Sequence, residues 1–229
     1  MIIDLTYATL EQLTEIVFSA ERVSPPEDAT ADDTRHFLEY RVDPARQVVL
    51  LTDLFRRSST LTARYSAERI ERGLWHVMGA ECFDDFTAHI WNPAVSLVDR
   101  VRLIESVHGL YDGVLARYPY EPIDFTHPDR LPRRFHTIDY MVPDLLLTGE
   151  RFMQGEPADR SALRHAFLSL FARLLAHPAP VAQYAGLHGL GHLAHERRSD
   201  VIDTFLERHP EISGAQRRYA MRARRGDVL

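Results

Sequence analysis

Residues 184–196 read YAGLHGLGHLAHE, and the way this stretch folds decides what kind of protein the chain makes. Placed on a helix at about 100° per residue, Leu187, Leu190, Leu193 and Ala194 share one broad face, while His188, His192 and His195 form a stripe nearly opposite. Gly186, Gly189 and Gly191 interrupt the pattern, and each costs about 1 kcal/mol relative to alanine in an exposed helix. Such a helix does not stand alone. It makes sense where neighbouring backbones approach closely, as they do between stacked helical hairpins.

The flanking sequence repeats itself. His177-Pro178 recurs 32 residues later as His209-Pro210, and Tyr184-Ala185 recurs 35 residues later as Tyr219-Ala220. In each copy a helix ends at the His-Pro, a turn follows, and a new helix carries the Tyr-Ala and then a glycine, Gly191 or Gly226. Over residues 159–229 this layout resembles the HEAT and armadillo-like family of helical repeats. The resemblance implies a right-handed stack of antiparallel helix pairs that serves as a scaffold for binding, and it implies no catalytic site. The expected fold is therefore all-α: antiparallel helical hairpins stacked as a short HEAT-like α-solenoid, or else an irregular helical bundle.

Start and stop signals elsewhere agree with a helical chain. A first helix is expected from Leu5 to Ala20, ended by SPPEDATADD. Asp43-Pro44 is a helix entry into QVVLLTDLF, although Val48–Leu51 would also serve as a short strand. Ser66 opens a helix with Ile70, Leu74 and Val77 inward. Ser96 and Asp99 have capping-box spacing ahead of a long helix to Tyr118, and Ser213 and Gln216 have it ahead of the last. The segment 119–137, with four prolines, cannot be a regular helix. It joins possible sublayers 1–118 and 138–229 of one domain. A clear amphipathic helix follows from Asp159 to Ala176.

Composition narrows the function classes. The 229 residues suffice for a core without disulfides or metal, and Cys82 is the one cysteine, which fits a reducing compartment or one indifferent to redox. The start, IIDLTYATLEQL after Met1, has no basic patch, long apolar run or cleavage pattern, so the expectation is a cytoplasmic protein with no membrane span. All 27 Lys and Arg positions are arginine, which fits a GC-rich genome and removes Schiff-base and Walker-type phosphate chemistry. The net charge of −6 argues against nucleic acid as a partner, yet it is polarised. Residues 1–43 carry ten acidic and three basic side chains, residues 217–229 five arginines and one aspartate.

Few groups suggest chemistry. His188, His192 and His195, at i, i+4 and i+7 beside Glu196, are the candidate metal ligands, with His76, His108 or His165 as further donors from elsewhere; the simpler reading is structural histidines packed between repeats, with no cofactor. Asp84 and Asp85 could be paired carboxylates but read better as a solvated helix start, and Cys82 reads as packing. Arg217, Arg218, Arg222, Arg224 and Arg225 on the last helix, with Asp32 and Asp33 near the other end, are the candidate partner-binding residues. The leading expectation is a non-enzymatic protein-binding module, an adaptor, inhibitor or immunity-type protein, able to form a homodimer through its opposite ends. The alternative is a metal-dependent helical-bundle hydrolase built on the histidine stripe.

Overall fold

In a computed structural model, the structure describes residues 2–19, 39–78, 86–117, 138–152 and 157–228. Two short strands, β1 (Ile2–Asp4) and β2 (Glu39–Arg41), accompany α1 (Leu10–Ser19), α2 (Pro44–Arg56), α3 (Leu61–Arg64), α4 (Ala67–Met78), α5 (Phe86–Trp91) and α6 (Leu97–Leu110). Then come α7 (Ile138–Thr148), α8 (Pro157–Leu175), α9 (Pro180–His192), α10 (Arg198–Arg208) and α11 (Gly214–Arg225). Among the described residues the fold is all-helical apart from that one parallel ladder, in which Ile2 pairs with Glu39 and Asp4 with Arg41. Among the described residues no helix is long and apolar enough to cross a membrane.

Local capping chemistry sets several boundaries. The Asp43 carboxylate accepts the Arg46 amide at 3.1 Å with Pro44 in the first helical position of α2. The Ser96 hydroxyl accepts the Asp99 amide at 3.2 Å ahead of α6, and that of Ser213 accepts the Gln216 amide at 3.1 Å ahead of α11. At Thr9 a reciprocal capping box forms: its hydroxyl accepts the Gln12 amide at 3.2 Å, and the Gln12 side-chain oxygen accepts the Thr9 amide at 2.9 Å. This box starts α1 at Leu10, so the expected helix start at Leu5 is corrected; Leu5 instead donates its amide to the Arg41 carbonyl at 2.8 Å, extending the ladder. Val48–Leu51 is helical, with Val48 and Leu51 fully buried in α2. The Pro-rich segment 119–137 lies outside the described residues.

Helices pack largely in chain order along two lines. Helix α2 lies against α6 and α6 against α8; α1 lies against α4, α4 against α7, α7 against α9, and α9 against α11. The hairpin partners α8 with α9 and α10 with α11 tie the lines together. A single hydrophobic cluster runs through them from Leu5 to Val228.

Glycine permits the close approaches. A Cβ on Gly189 would lie 2.5 Å from the ring of Phe171 in α8, and one on Gly109 would lie 2.9 Å from the Phe55 carbonyl oxygen at the end of α2. Overpacking costs about 1–3 kcal/mol, and alanine's better helix propensity offsets at most about 1 kcal/mol of it. Gly189→Ala is therefore expected to lower the melting temperature. Gly214→Ala, whose Cβ would meet only the tip of Arg218 at 3.5 Å, is expected to hold or raise it. Equal melting curves for the two variants would contradict the packing between α8 and α9.

Candidate functional site

The site begins with a proline. Pro143 lies inside α7 and has no amide hydrogen, so the carbonyl of Asp139 one turn earlier loses its helical donor. The Tyr111 hydroxyl takes that place, donating to the Asp139 oxygen at 2.6 Å. Tyr111 reaches it from a π-helical turn, Tyr111–Leu115, into which α6 passes; the expected regular helix to Tyr118 thus gives way after Leu110. Near the other end of α7 the indole nitrogen of Trp91 donates to the Leu146 carbonyl at 3.0 Å. These two bonds fix α7, and with it Asp144, against its neighbours.

Opposite Asp144 stands α9, which is buried on all sides from Tyr184 to Gly191. His188, fully buried, brings Nε2 to 3.0 Å from one oxygen of Asp144, and His192 brings Nε2 to 3.1 Å from the other. One carboxylate thus bridges two imidazoles a helical turn apart. The Nδ1 of His188 lies 2.8 Å from the Tyr219 hydroxyl of α11, and Tyr184 and Tyr140 pack their rings around it at 6.3 and 5.3 Å. Burial, and then the neighbouring Tyr184 hydroxyl, push the Tyr219 phenol well above its ordinary pKa, so it stays protonated. Burial lowers the pKa of His192, partly opposed by Asp144. Asp144 and His192 open onto a polar pocket of about 620 Å³ that also has Thr148, Glu150, Arg160 and Arg164 in its wall, with Glu150 and Arg164 ion-paired.

The expected three-histidine stripe is corrected here. Helix α9 ends at His192, and Leu193 is extended, so His195 leaves the stripe and lies beside His165 of α8, ring centroids 5.8 Å apart. Burial, and then His165, lower its pKa. At the stop stands Arg198, whose guanidinium donates to the carbonyls of Gly191 and Leu193, each at 3.4 Å, and to that of Arg224 at 3.3 Å. It satisfies end groups of α9 and α11 together. The half-buried carboxylate that sequence reading missed, Asp144, lies 44 residues before His188, in a helix whose own signal is apolar.

Other candidates are scattered. His76 is buried in α4. His108 and His177 share Asp112, at 2.8 and 3.1 Å, with His108 held below its usual pKa by burial. On α11, Arg224 forms a forked pair with Asp203 of α10 at 2.8–3.1 Å, and Arg222 and Arg225 lie 3.7 and 4.0 Å from Asp227. Arg217 and Arg218 are exposed. Asp32, Asp33, Cys82, Asp84 and Asp85 lie outside the described residues. A second, apolar pocket of about 330 Å³ opens between α8 and α10, lined by Ala172, Leu175, Ala176, Val201, Phe205 and Arg208 among others. No family model, curated protein or solved structure matches the chain.

Proposed function

We propose that the protein is a short HEAT-like α-solenoid whose role is to bind another protein. The order of helix packing supports the solenoid: two lines of helices, joined by the α8–α9 and α10–α11 hairpins, follow the chain order. The observation that carries the binding role is the apolar groove between α8 and α10. There the line formed by α2, α6 and α8 does not close tightly onto α10, and Leu175, Val201 and Phe205 form walls with Arg208 and His209 at the side. Such a groove accepts an apolar side chain from a partner, and Arg208 favours an acidic neighbour to it. Exposed Arg217 and Arg218 add positive charge on the following helix. An adaptor or inhibitor role in bacteria is consistent with this reading.

The test places a photo-crosslinking residue at Thr204, an exposed groove position, and another at Glu68 on α4, whose side chain is 79% exposed. In the native host, irradiation should join one partner to the Thr204 variant and not to the Glu68 variant, and raised ionic strength should reduce the yield. Equal labelling at both positions would remove the groove from the reading.

A further inference from the structure

We propose that Asp144, His188 and His192 bind a divalent first-row transition ion, with zinc the ion this donor set takes most readily. Among the described residues, these three form the group whose donor atoms converge, all lying within 4.8 Å of one another. Two imidazoles and a carboxylate suit Zn²⁺, Fe²⁺, Co²⁺ or Ni²⁺ better than Mg²⁺ or Ca²⁺, which prefer oxygen. With metal–ligand bonds of about 2.0–2.2 Å, tetrahedral ligands stand roughly 3.3–3.5 Å apart. The carboxylate-to-imidazole distances here are 3.0 and 3.1 Å, one to each oxygen of Asp144, close to that spacing. The rings are already adjacent, centroids 4.7 Å apart.

The proton balance closes within the site. An ion on Nε2 takes the place of the proton that each neutral imidazole donates to Asp144, and each ring stays neutral by carrying its proton on Nδ1 instead. At His188 that Nδ1–H meets the Tyr219 hydroxyl at 2.8 Å, which accepts it and directs its own hydrogen towards Tyr184, with which it interacts. Tyr219 is thus a positioning residue, the outer partner that fixes the ring for ligation. His192 is the last residue of α9, at the negative end of the helix, where a cation is favoured. Asp144 and His192 line the polar pocket, so the site is open to water.

The same arrangement does not occur merely wherever an aspartate meets two histidines. Asp112 also bridges His108 and His177, but those rings stand 6.1 Å apart edge-on and their donors do not form a convergent group.

The experiment titrates Zn²⁺ into the purified full chain against a chromophoric chelator, with Co²⁺ absorption as an independent readout. One equivalent should bind, with visible ligand-field bands for Co²⁺, and His192→Ala and Asp144→Asn should each abolish it. Tyr219→Phe should weaken it by about 10–100-fold. His195→Ala should leave it unchanged, because His195 lies off the site. Circular dichroism checks that each variant folds. Should Asp144→Asn unfold, His192→Ala still decides, since that side chain is 35% exposed. Zn²⁺ binding no tighter than in the His192→Ala variant, or a loss that follows His195→Ala instead, would overturn the site.

Discussion

Phe167→Ala is expected to destabilise the protein by about 3–5 kcal/mol, one of the largest losses available to a single side chain here. Phe167 is fully buried, and its ring stacks against Trp91 at 5.6 Å and Phe171 at 5.9 Å. Phe171 in turn fills the space left by Gly189, so a void at 167 undermines the α8–α9 contact as well as its own surroundings. For a chain of this size each kcal/mol corresponds to roughly 2–4 °C in melting temperature, which puts the expected fall at roughly 6–20 °C. Thermal unfolding followed by circular dichroism measures it. A shift of less than about 3 °C would mean that this side chain is not central to the core.

The second large effect is electrostatic. Arg100 of α6 is 1% exposed and ion-paired with Asp159 in the first turn of α8. Removing the carboxylate leaves a buried cation without its counter-charge, and Asp159→Ala is expected to cost about 3–5 kcal/mol. Replacing the arginine itself removes the need for the partner, so Arg100→Met should cost much less, because a well-packed apolar side chain is often as good as a buried ion pair. Chemical denaturation of both variants separates the two cases. If Arg100→Met is as damaging as Asp159→Ala, the desolvated charge is not what Asp159 compensates.

What the sequence disclosed and what it hid divide along physical lines. The caps at Asp43, Ser96 and Ser213 were legible because donor and acceptor lie three residues apart. The glycines of residues 184–196 correctly signalled close packing, since only a missing side chain lets a helix come so near the Phe171 ring. The capping box at Thr9 and Gln12 was equally local and was overlooked, which cost the true start of α1. Asp144 could not be found from the histidines, because nothing in α9 encodes which distant helix will face it. The misplacement of His195 has a different origin: a wheel assumes that the helix continues, whereas the backbone turns extended at Leu193, where Arg198 of the next helix meets the end carbonyls. On α11 the arginines were legible but their partners were not: Arg224 forks onto Asp203, and Arg222 and Arg225 lie near Asp227.

Arg198 has a consequence for the way the molecule comes apart. One guanidinium meets carbonyls at the end of α9 through one nitrogen and a carbonyl near the end of α11 through another, so a single side chain couples the two helix ends. The α10–α11 hairpin and the last turn of α9 are therefore expected to open as one cooperative unit. Their amide protons should exchange with solvent at a common rate, and Arg198→Ala should split that rate in two, with α11 exchanging first.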